Sequence, residues 1–333
     1  MGVTGRQRFL GTLHRDPSVE GHPVWLMRQA GRFLPEYREL RSRHSFMELV
    51  HSPALCTEAA LQPLRRFDLD ATIVFSDILV IPDALGMGLS FTPGDGPRLA
   101  NPLRESGQLE GTLGSLDYVY EAVAQLRAAA PGHALLGFAG APWTLYCYMV
   151  DGEGGEFPLA RQSIRADETR AKAMLDRLAD VVADHLLAQL GAGADTVQVF
   201  DTWAGRLDAD TYARLVTPGL ERIAARLAEH DTILFLRGAD QLSRRVGRAK
   251  FSGVSVHAGA DLAAVRRELP GWTTQGNVAS EILLGGDIEA AVRGVFDATG
   301  GAHDHIYNLG HGVVPATPPE SVSRFVNAVR ALP

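Results

Sequence analysis

Thr196-Val197-Gln198-Val199-Phe200, followed at once by Asp201-Thr202-Trp203, is the stretch from which the fold can be worked out. Upstream, residues 159–190 carry an Ala/Leu/Arg-rich helical pattern that closes on Gly191 and Gly193, where a C-terminal glycine is expected. The run itself is nearly all apolar instead of alternating, as expected of a parallel strand covered on both faces. Polar residues then begin at its C-terminal end. Comparable runs occupy 22–26, 71–75, 134–138, 232–236, 253–256, 272–274 and 305–308. Helical patterns lie between them at 52–66, 115–129, 208–230, 242–248, 260–268, 278–298 and 319–332. Ser52-Pro53 and Thr317-Pro318-Pro319-Glu320 are helix-start signals. Strand and helix alternate eight times without a linker, which predicts α/β architecture: a single (β/α)8 TIM barrel, one domain over residues 1–333. A doubly wound sheet is the alternative, but its glycine-rich dinucleotide fingerprint is missing. The Gly/Pro-rich stretch 86–114 reads as a long loop or small hairpin after the second strand.

Composition narrows the function. The 333 residues are 46% apolar and 21% charged, enough for a large core. A formal net charge of -7 argues against nucleic acid or an anionic membrane as the main partner. Cys56 and Cys147 are the only cysteines, too few for a disulfide scaffold. Both sit in apolar surroundings and read as buried, inert thiols. No signal peptide, myristoylation pattern or membrane-length apolar run is present, so a cytoplasmic location is expected.

Against that acidic background, Met27-Arg28-Gln29-Ala30-Gly31-Arg32-Phe33-Leu34-Pro35-Glu36-Tyr37-Arg38 sets two arginines around a glycine just past the first strand. The glycine is expected to let the backbone turn and aim both guanidinium groups into one space. Barrel enzymes carry their sites at the C-terminal ends of the strands. Those ends deliver Arg28 and Arg32; Ser76 and Asp77; Trp143, Tyr146 and Tyr148; Asp201, Thr202 and Trp203; Arg237; His257; Gln275 and Asn277; and Asn308, Gly310 and His311. Such a rim suits an anionic ligand with one or two acids inside it. Asp77, between Phe75-Ser76 and Ile78-Leu79-Val80, is costly in so apolar a run unless paired or functional. A helix cap or salt bridge would equally account for it. His311 lies between Gly310 and Gly312, which would permit close approach of a ligand. Taken singly, Tyr148 could be core and Thr202 a cap. No metal is expected, since neither cysteine has a histidine at ligand spacing and His303-x-His305 reads as entry to the last strand.

The same residues resemble the uroporphyrinogen decarboxylase family, through six ordered blocks. These are Arg28–Arg38, Phe75-Ser76-Asp77-Ile78-Leu79 with Asp83-Ala84-Leu85-Gly86, and Gly140-Ala141-Pro142-Trp143-Thr144-Leu145 with Tyr148-Met149-Val150. The others are Val197 to Gly205, Gln275-Gly276-Asn277, and Asn308-Leu309-Gly310-His311-Gly312 with Pro315 and Thr317-Pro318-Pro319-Glu320. The resemblance implies a cofactor-independent carboxy-lyase of heme biosynthesis. Its substrate would be a small-molecule tetrapyrrole, whose four acetates become methyl groups, and the protein would be a homodimer. It places substrate contacts on Arg28, Arg32, Asp77, Tyr148, Thr202 and His311, with Gln29, Ala30 and Gly31 as the loop between the arginines. Asp77, Arg28 and Tyr148 are the expected catalytic groups, and the proton donor is left between Arg28 and His311. Val256-His257-Ala258 departs from the family's usual Leu-Asp-Trp, which alters one wall of the cavity. Zinc methyltransferases on related barrels resemble this layout but use a His-x-Cys pair and a later Cys, absent here. A corrinoid-linked methyltransferase and a non-catalytic porphyrin-binding homologue are the alternatives.

Overall fold

A computed structural model describes residues 2–92, 96–106 and 112–333. Pro93-Gly94-Asp95 and residues 107–111, both within the Gly/Pro-rich stretch, lie outside the described residues. The strands, in chain order, are β1 Ala71–Ile73, β2 Leu89–Thr92, β3 Gly96–Leu99, β4 Ala134–Gly140, β5 Thr196–Asp201, β6 Thr232–Leu236, β7 Gly253–Val256, β8 Thr273–Val278 and β9 His305–Leu309. Seven of them form one parallel sheet in the order β1-β4-β5-β6-β7-β8-β9. β2 and β3 pair separately as an antiparallel hairpin, the smaller of the two readings of stretch 86–114.

The run at 22–26 does not form a full strand. It fills the eighth place in the barrel with one parallel bridge, Val24 to Tyr307. Tyr307 N–H donates to Pro23 O (2.9 Å) and Trp25 N–H to Tyr307 O (3.3 Å). On the other side, Asp70 N–H donates to Val24 O (2.9 Å), just ahead of β1. The sheet therefore closes into the expected α/β barrel, with a very short first stave. Inside it, Trp25 Nε1–H donates to Gln275 Oε1 (3.0 Å) and Gln275 Nε2–H to Gln198 Oε1 (3.0 Å). That buried chain links the first stave, β8 and β5 across the barrel.

The helical pattern at 159–190 is two helices, Pro158–Ala166 and Glu168–Gly191, parted at Asp167. The Asp167 carboxylate caps the second by accepting Arg170 N–H at 2.9 Å, and an Asp at an N-cap is a helix start. The pattern at 208–230 divides likewise into Ala209–Leu215 and Thr217–Arg226 beside Pro218. Helix Pro142–Asp151, which carries Tyr148, was not expected at all. Nearly every residue in it is buried, so it has no polar face to produce a 3.6-residue period.

Two histidines are locked inside. His305 bridges Thr274 Oγ1 (2.9 Å) and Gly276 O (2.9 Å), and Tyr120 OH lies 3.1 Å from His185 Nδ1. Burial pushes both imidazoles down to about 3. Between the usual value near 6.5 and about 3, the unfolded chain takes up protons that the native state refuses, so their contribution is lost as pH falls. Asp201, raised by burial to about 6, acts in the opposite sense between its ordinary 3.8 and that value. His22, His133, His257 and His311 are lowered like those two imidazoles, and Asp70 and Asp77 are raised like Asp201. Six histidines therefore oppose three acids, and the melting temperature should fall as pH drops from 6.5 to 4. A calorimetric series across that range that stayed flat or rose would contradict this balance.

Candidate active site

The Arg28 loop is built from buried polar contacts. Gln29, 1% exposed, accepts Leu26 N–H at its Oε1 (3.1 Å) and donates from Nε2 to Ala71 O (3.2 Å). Its amide is thus committed to tying the loop to β1. Asn308, at the end of β9, accepts Met27 N–H (2.9 Å) and Leu309 N–H (2.7 Å) with one oxygen. Val313 N–H returns to Met27 O (2.9 Å), so the first and last staves are laced together at the rim. The left-handed residue of the turn is Arg28 itself, with φ 61, and not Gly31 as expected. Such a backbone is uncommon for a non-glycine residue and concentrates at functional sites. A Cβ on Gly31 would lie 3.1 Å from Arg28 O, so glycine serves close approach there.

Neither the Arg28 nor the Arg32 guanidinium has a hydrogen bond or ion pair among the described residues, although arginines elsewhere in the chain are widely paired. Arg28 is aimed by Gly312, where a Cβ would come within 2.3 Å of Arg28 Cδ. Gly310 has a similar function, since a Cβ there would meet the Ala258 backbone at 2.1 Å. The glycines flanking His311 therefore make room for the protein itself, where the sequence suggested room for a ligand.

Asp77 follows β1 and accepts Leu79 N–H at Oδ1 (2.8 Å). One oxygen caps a turn and the other is free of protein donors. Burial among apolar neighbours raises this carboxyl, while the Leu79 N–H and the charge of Arg28 pull it back. Ser76 Oγ beside it is buried without a protein partner. Tyr148 is raised by burial and feels both Asp77 and Arg28. Its ring packs against Phe157 (5.1 Å) and Trp203 (6.3 Å). His311 is held down to about 4 by burial, then by Arg28 and Arg237. Its Nδ1 accepts Gly312 N–H (2.6 Å), so neutral His311 carries its proton on Nε2.

Arg28, exposed at the mouth, lies within electrostatic reach of the half-buried Asp77, Tyr148 and His311, which outline one recess at the rim. Thr202 is partly exposed at the end of β5, and Arg32 is exposed like Arg28, with its charge bearing on Tyr37. Several rim residues do other work. Trp143 Nε1–H donates to Trp203 O (2.9 Å), Tyr146 OH meets Ser163 Oγ (2.8 Å), and Gln275 lies inside the barrel. Asp201 is fully buried, with its two oxygens taken by Thr144 Oγ1 (2.6 Å) and Tyr212 OH. Asn308, Thr144, Tyr212 and Phe157 support the site, and sequence reasoning missed these contributions because each acts through a partner distant in the chain. The Gly310-x-Gly312 spacing was visible, but not what it accommodates.

A cavity of about 720 Å³ opens at the ends of β5 to β7, and Arg206, Gly238 and His257 help line it. Val256 and His257 of the altered segment form part of that wall. No group of three or more His, Cys, Asp or Glu among the described residues could hold a metal ion. Cys56 and Cys147 are both buried, and burial pushes Cys56 up to about 12.

The uroporphyrinogen decarboxylase (URO-D) family model matches residues 4–332. The chain belongs to the uroporphyrinogen decarboxylase family. It is 41% identical over 344 residues to the uroporphyrinogen decarboxylase of Cupriavidus pinatubonensis, covering 96% of this chain and 94% of that one. The Legionella pneumophila uroporphyrinogen decarboxylase is 38% identical over 339 residues, covering 97% and 96%. Among solved structures, a methyltransferase from Methanosarcina mazei superimposes with a TM-score of 0.78 at 20% identity, covering 98% of each chain. A B12-independent methionine synthase from Shewanella gives 0.58 at 11% identity, covering 83% and 86%. At those identities the structural likeness concerns the barrel alone.

If Arg28 points into the recess, Arg28→Met should raise the His311 imidazole from about 4 towards its ordinary value while burial keeps it below 6.5. An NMR titration of His311 checks this, and an unchanged midpoint would place Arg28 outside the recess.

Proposed function

We propose that this family member removes carbon dioxide from the four pyrrole acetates of uroporphyrinogen, leaving methyl groups and giving coproporphyrinogen. The observation that carries this reading is the unpaired Arg28 cation acting on Asp77, Tyr148 and His311 at once. An octacarboxylate macrocycle needs free cations at the rim, and a protonated pyrrole needs a carboxylate at its centre. The family match over residues 4–332 supports the same chemistry.

Losing carbon dioxide from an acetate arm leaves an electron pair that needs a sink. Protonation of a pyrrole ring carbon supplies one: the ring becomes a cation, the C–C bond to the carboxylate breaks, and its electrons flow into the ring. A proton then adds to the exocyclic carbon and the ring proton departs, so one proton is consumed and one carbon dioxide released per arm. No separate cofactor is needed for that balance. Asp77 accepts pyrrole N–H groups on its free oxygen and faces the transient cation, a preorganised negative charge where positive charge develops. Arg28 and Arg32, both exposed at the rim, hold carboxylate arms by charge-assisted bonds. His311 is neutral above about pH 4, which suits it to anchoring a carboxylate through Nε2–H more than to delivering the ring proton. Tyr148 and Thr202 orient the arm that reacts.

The same reading includes the whole chain working as one barrel domain, a homodimer, and a cytoplasmic location; no helix among the described residues is long and apolar enough to cross a membrane. Purified protein, incubated anaerobically with uroporphyrinogen and no added cofactor, should yield the hepta-, hexa-, penta- and tetracarboxylate porphyrinogens in turn. Asp77→Asn should lower turnover by at least ~10²-fold, the scale of losing one group aimed at developing charge, with the melting temperature little changed. Near-normal coproporphyrinogen formation by Asp77→Asn would refute the assignment. Tight binding without any turnover by the unaltered protein would leave a porphyrin-binding protein instead.

A further inference from the structure

Asp201 pairs with Leu236, and Leu236 with Val256, in adjoining parallel strands. Thr202, Arg237 and His257 therefore leave β5, β6 and β7 side by side at one height on the rim. Two arginines lie over the indole of Trp203, Arg206 at 5.6 Å and Arg237 at 5.7 Å from the ring centroid. They are not equivalent. Arg206 is satisfied by Glu156, with two contacts of 2.6 Å. Arg237 is partly buried, yet its guanidinium has no hydrogen bond and no ion pair among the described residues. Only its backbone is used, its N–H donating to Asp201 O (3.3 Å) and its O accepting Gly205 N–H (3.1 Å).

One neighbour whose titration feels its charge is His257. Its Nδ1 accepts Gly238 N–H (3.2 Å), which leaves the proton on Nε2 when the ring is neutral. Asn277 Nδ2–H donates to His257 O and Ala260 O, both at 2.9 Å, and holds that loop in place. Burial and the charge of Arg237 both lower the imidazole, so it stays a neutral donor and no carboxylate competes for the guanidinium. Arg237 also bears on His311, which Arg28 reaches from the first stave. Two cations without an ion pair among the described residues therefore act on His311 from different staves of the barrel. A partly buried guanidinium resting over an aromatic ring has already lost some of its side-chain freedom, so less is lost when it binds a carboxylate.

We propose that Arg237, with His257 Nε2–H beside it, forms a second carboxylate-binding subsite that fixes an arm of the substrate opposite the one held by Arg28. This rests on the tetrapyrrole reading above and adds a specificity-determining residue to it. The shared chemistry is a carboxylate, carried by either an acetate or a propionate arm.

Titration of the unaltered protein, Arg237→Met, Arg237→Lys and His257→Asp with uroporphyrin and with coproporphyrin, by fluorescence quenching at fixed salt, separates the possibilities. Arg237→Met keeps the stem on Trp203 and should weaken uroporphyrin binding about tenfold, the scale of one charge-assisted contact. Arg237→Lys should recover part of the loss. His257→Asp, which sets a carboxylate against Arg237, should weaken binding to a similar extent. An equal loss with coproporphyrin assigns the subsite to a propionate, and a loss confined to uroporphyrin assigns it to an acetate. Unchanged affinity of Arg237→Met for both porphyrins overturns the subsite while leaving the function standing. Failure of the unaltered protein to bind either porphyrin overturns both.

Discussion

Everything at the rim depends on how the barrel closes at Asp70. This carboxylate is fully buried and accepts Val24 N–H (2.7 Å), while its own N–H donates to Val24 O (2.9 Å). Arg330 of the C-terminal helix Pro319–Arg330 reaches it at 2.9 Å, and Arg8 of the N-terminal helix Gly5–Leu13 pairs with it from the other side. A stave held by one bridge would be marginal as a strand. Here both chain ends clamp it to β1 through a buried, doubly paired anion. Removing one partner of such a group leaves uncompensated charge and is costly, which makes the seam a point of specification. Because Arg28 emerges four residues after Val24, the clamp also decides where that guanidinium starts.

From that seam the site is assembled by backbone placement followed by side-chain aiming. Asn308 and Val313 tie the end of β9 to Met27, Gln29 ties the loop to β1, and Gly312 leaves the only course for the Arg28 stem. The left-handed backbone at Arg28 is tolerated because these contacts over-determine it. An acidic protein of net charge -7 thereby keeps a few guanidinium groups out of the surface ion pairs that occupy most of its other arginines. Among the described residues the guanidinium groups of Arg28, Arg32 and Arg237 have no ion pair, and the charge of Arg28 bears on Asp77.

Much of this was legible in the chain. β6 and β7 run where their apolar runs lie, and the strand ends delivered Arg28, Asp77, Tyr148, Thr202 and His311 to one rim without appeal to geometry. The limits were physical. Helix Pro142–Asp151 is buried all round and so lacks a period, and the 22–26 run has strand-like composition but only one bridging residue. Glycine function was misread for a related reason: conformational freedom can be inferred from a residue type, whereas the atom a Cβ would strike cannot. Gln29 looked like part of an anion loop, yet its amide is spent on Leu26 and Ala71, and no local pattern distinguishes those uses.

The half-buried Asp77 and the fully buried Asp201 show why satisfaction, more than acidity, separates support from chemistry. Burial raises both Asp77 and Asp201, and Asp201 reaches about 6. A carboxyl held at about 6 could by pKa alone serve as a general acid near neutral pH. Both its oxygens, however, are consumed by Thr144 and Tyr212, and the ring of Tyr212 lies 5.0 Å beneath the buried Arg245 guanidinium. Thr144 Oγ1 also accepts Trp203 N–H at 3.2 Å, so the network sets the indole on which Arg237 lies. Asp77 gives one oxygen to Leu79 N–H and keeps the other, beside an unpaired Ser76 hydroxyl and a free Arg28. A carboxylate with an unused acceptor, facing a cation that has no other partner, can exchange protein contacts for ligand contacts at little cost. A carboxylate whose acceptors are all filled by buried donors cannot, because each displaced donor would be stranded without water. That asymmetry places chemistry at Asp77 and leaves Asp201 as the post that holds Thr202 and Trp203 in position.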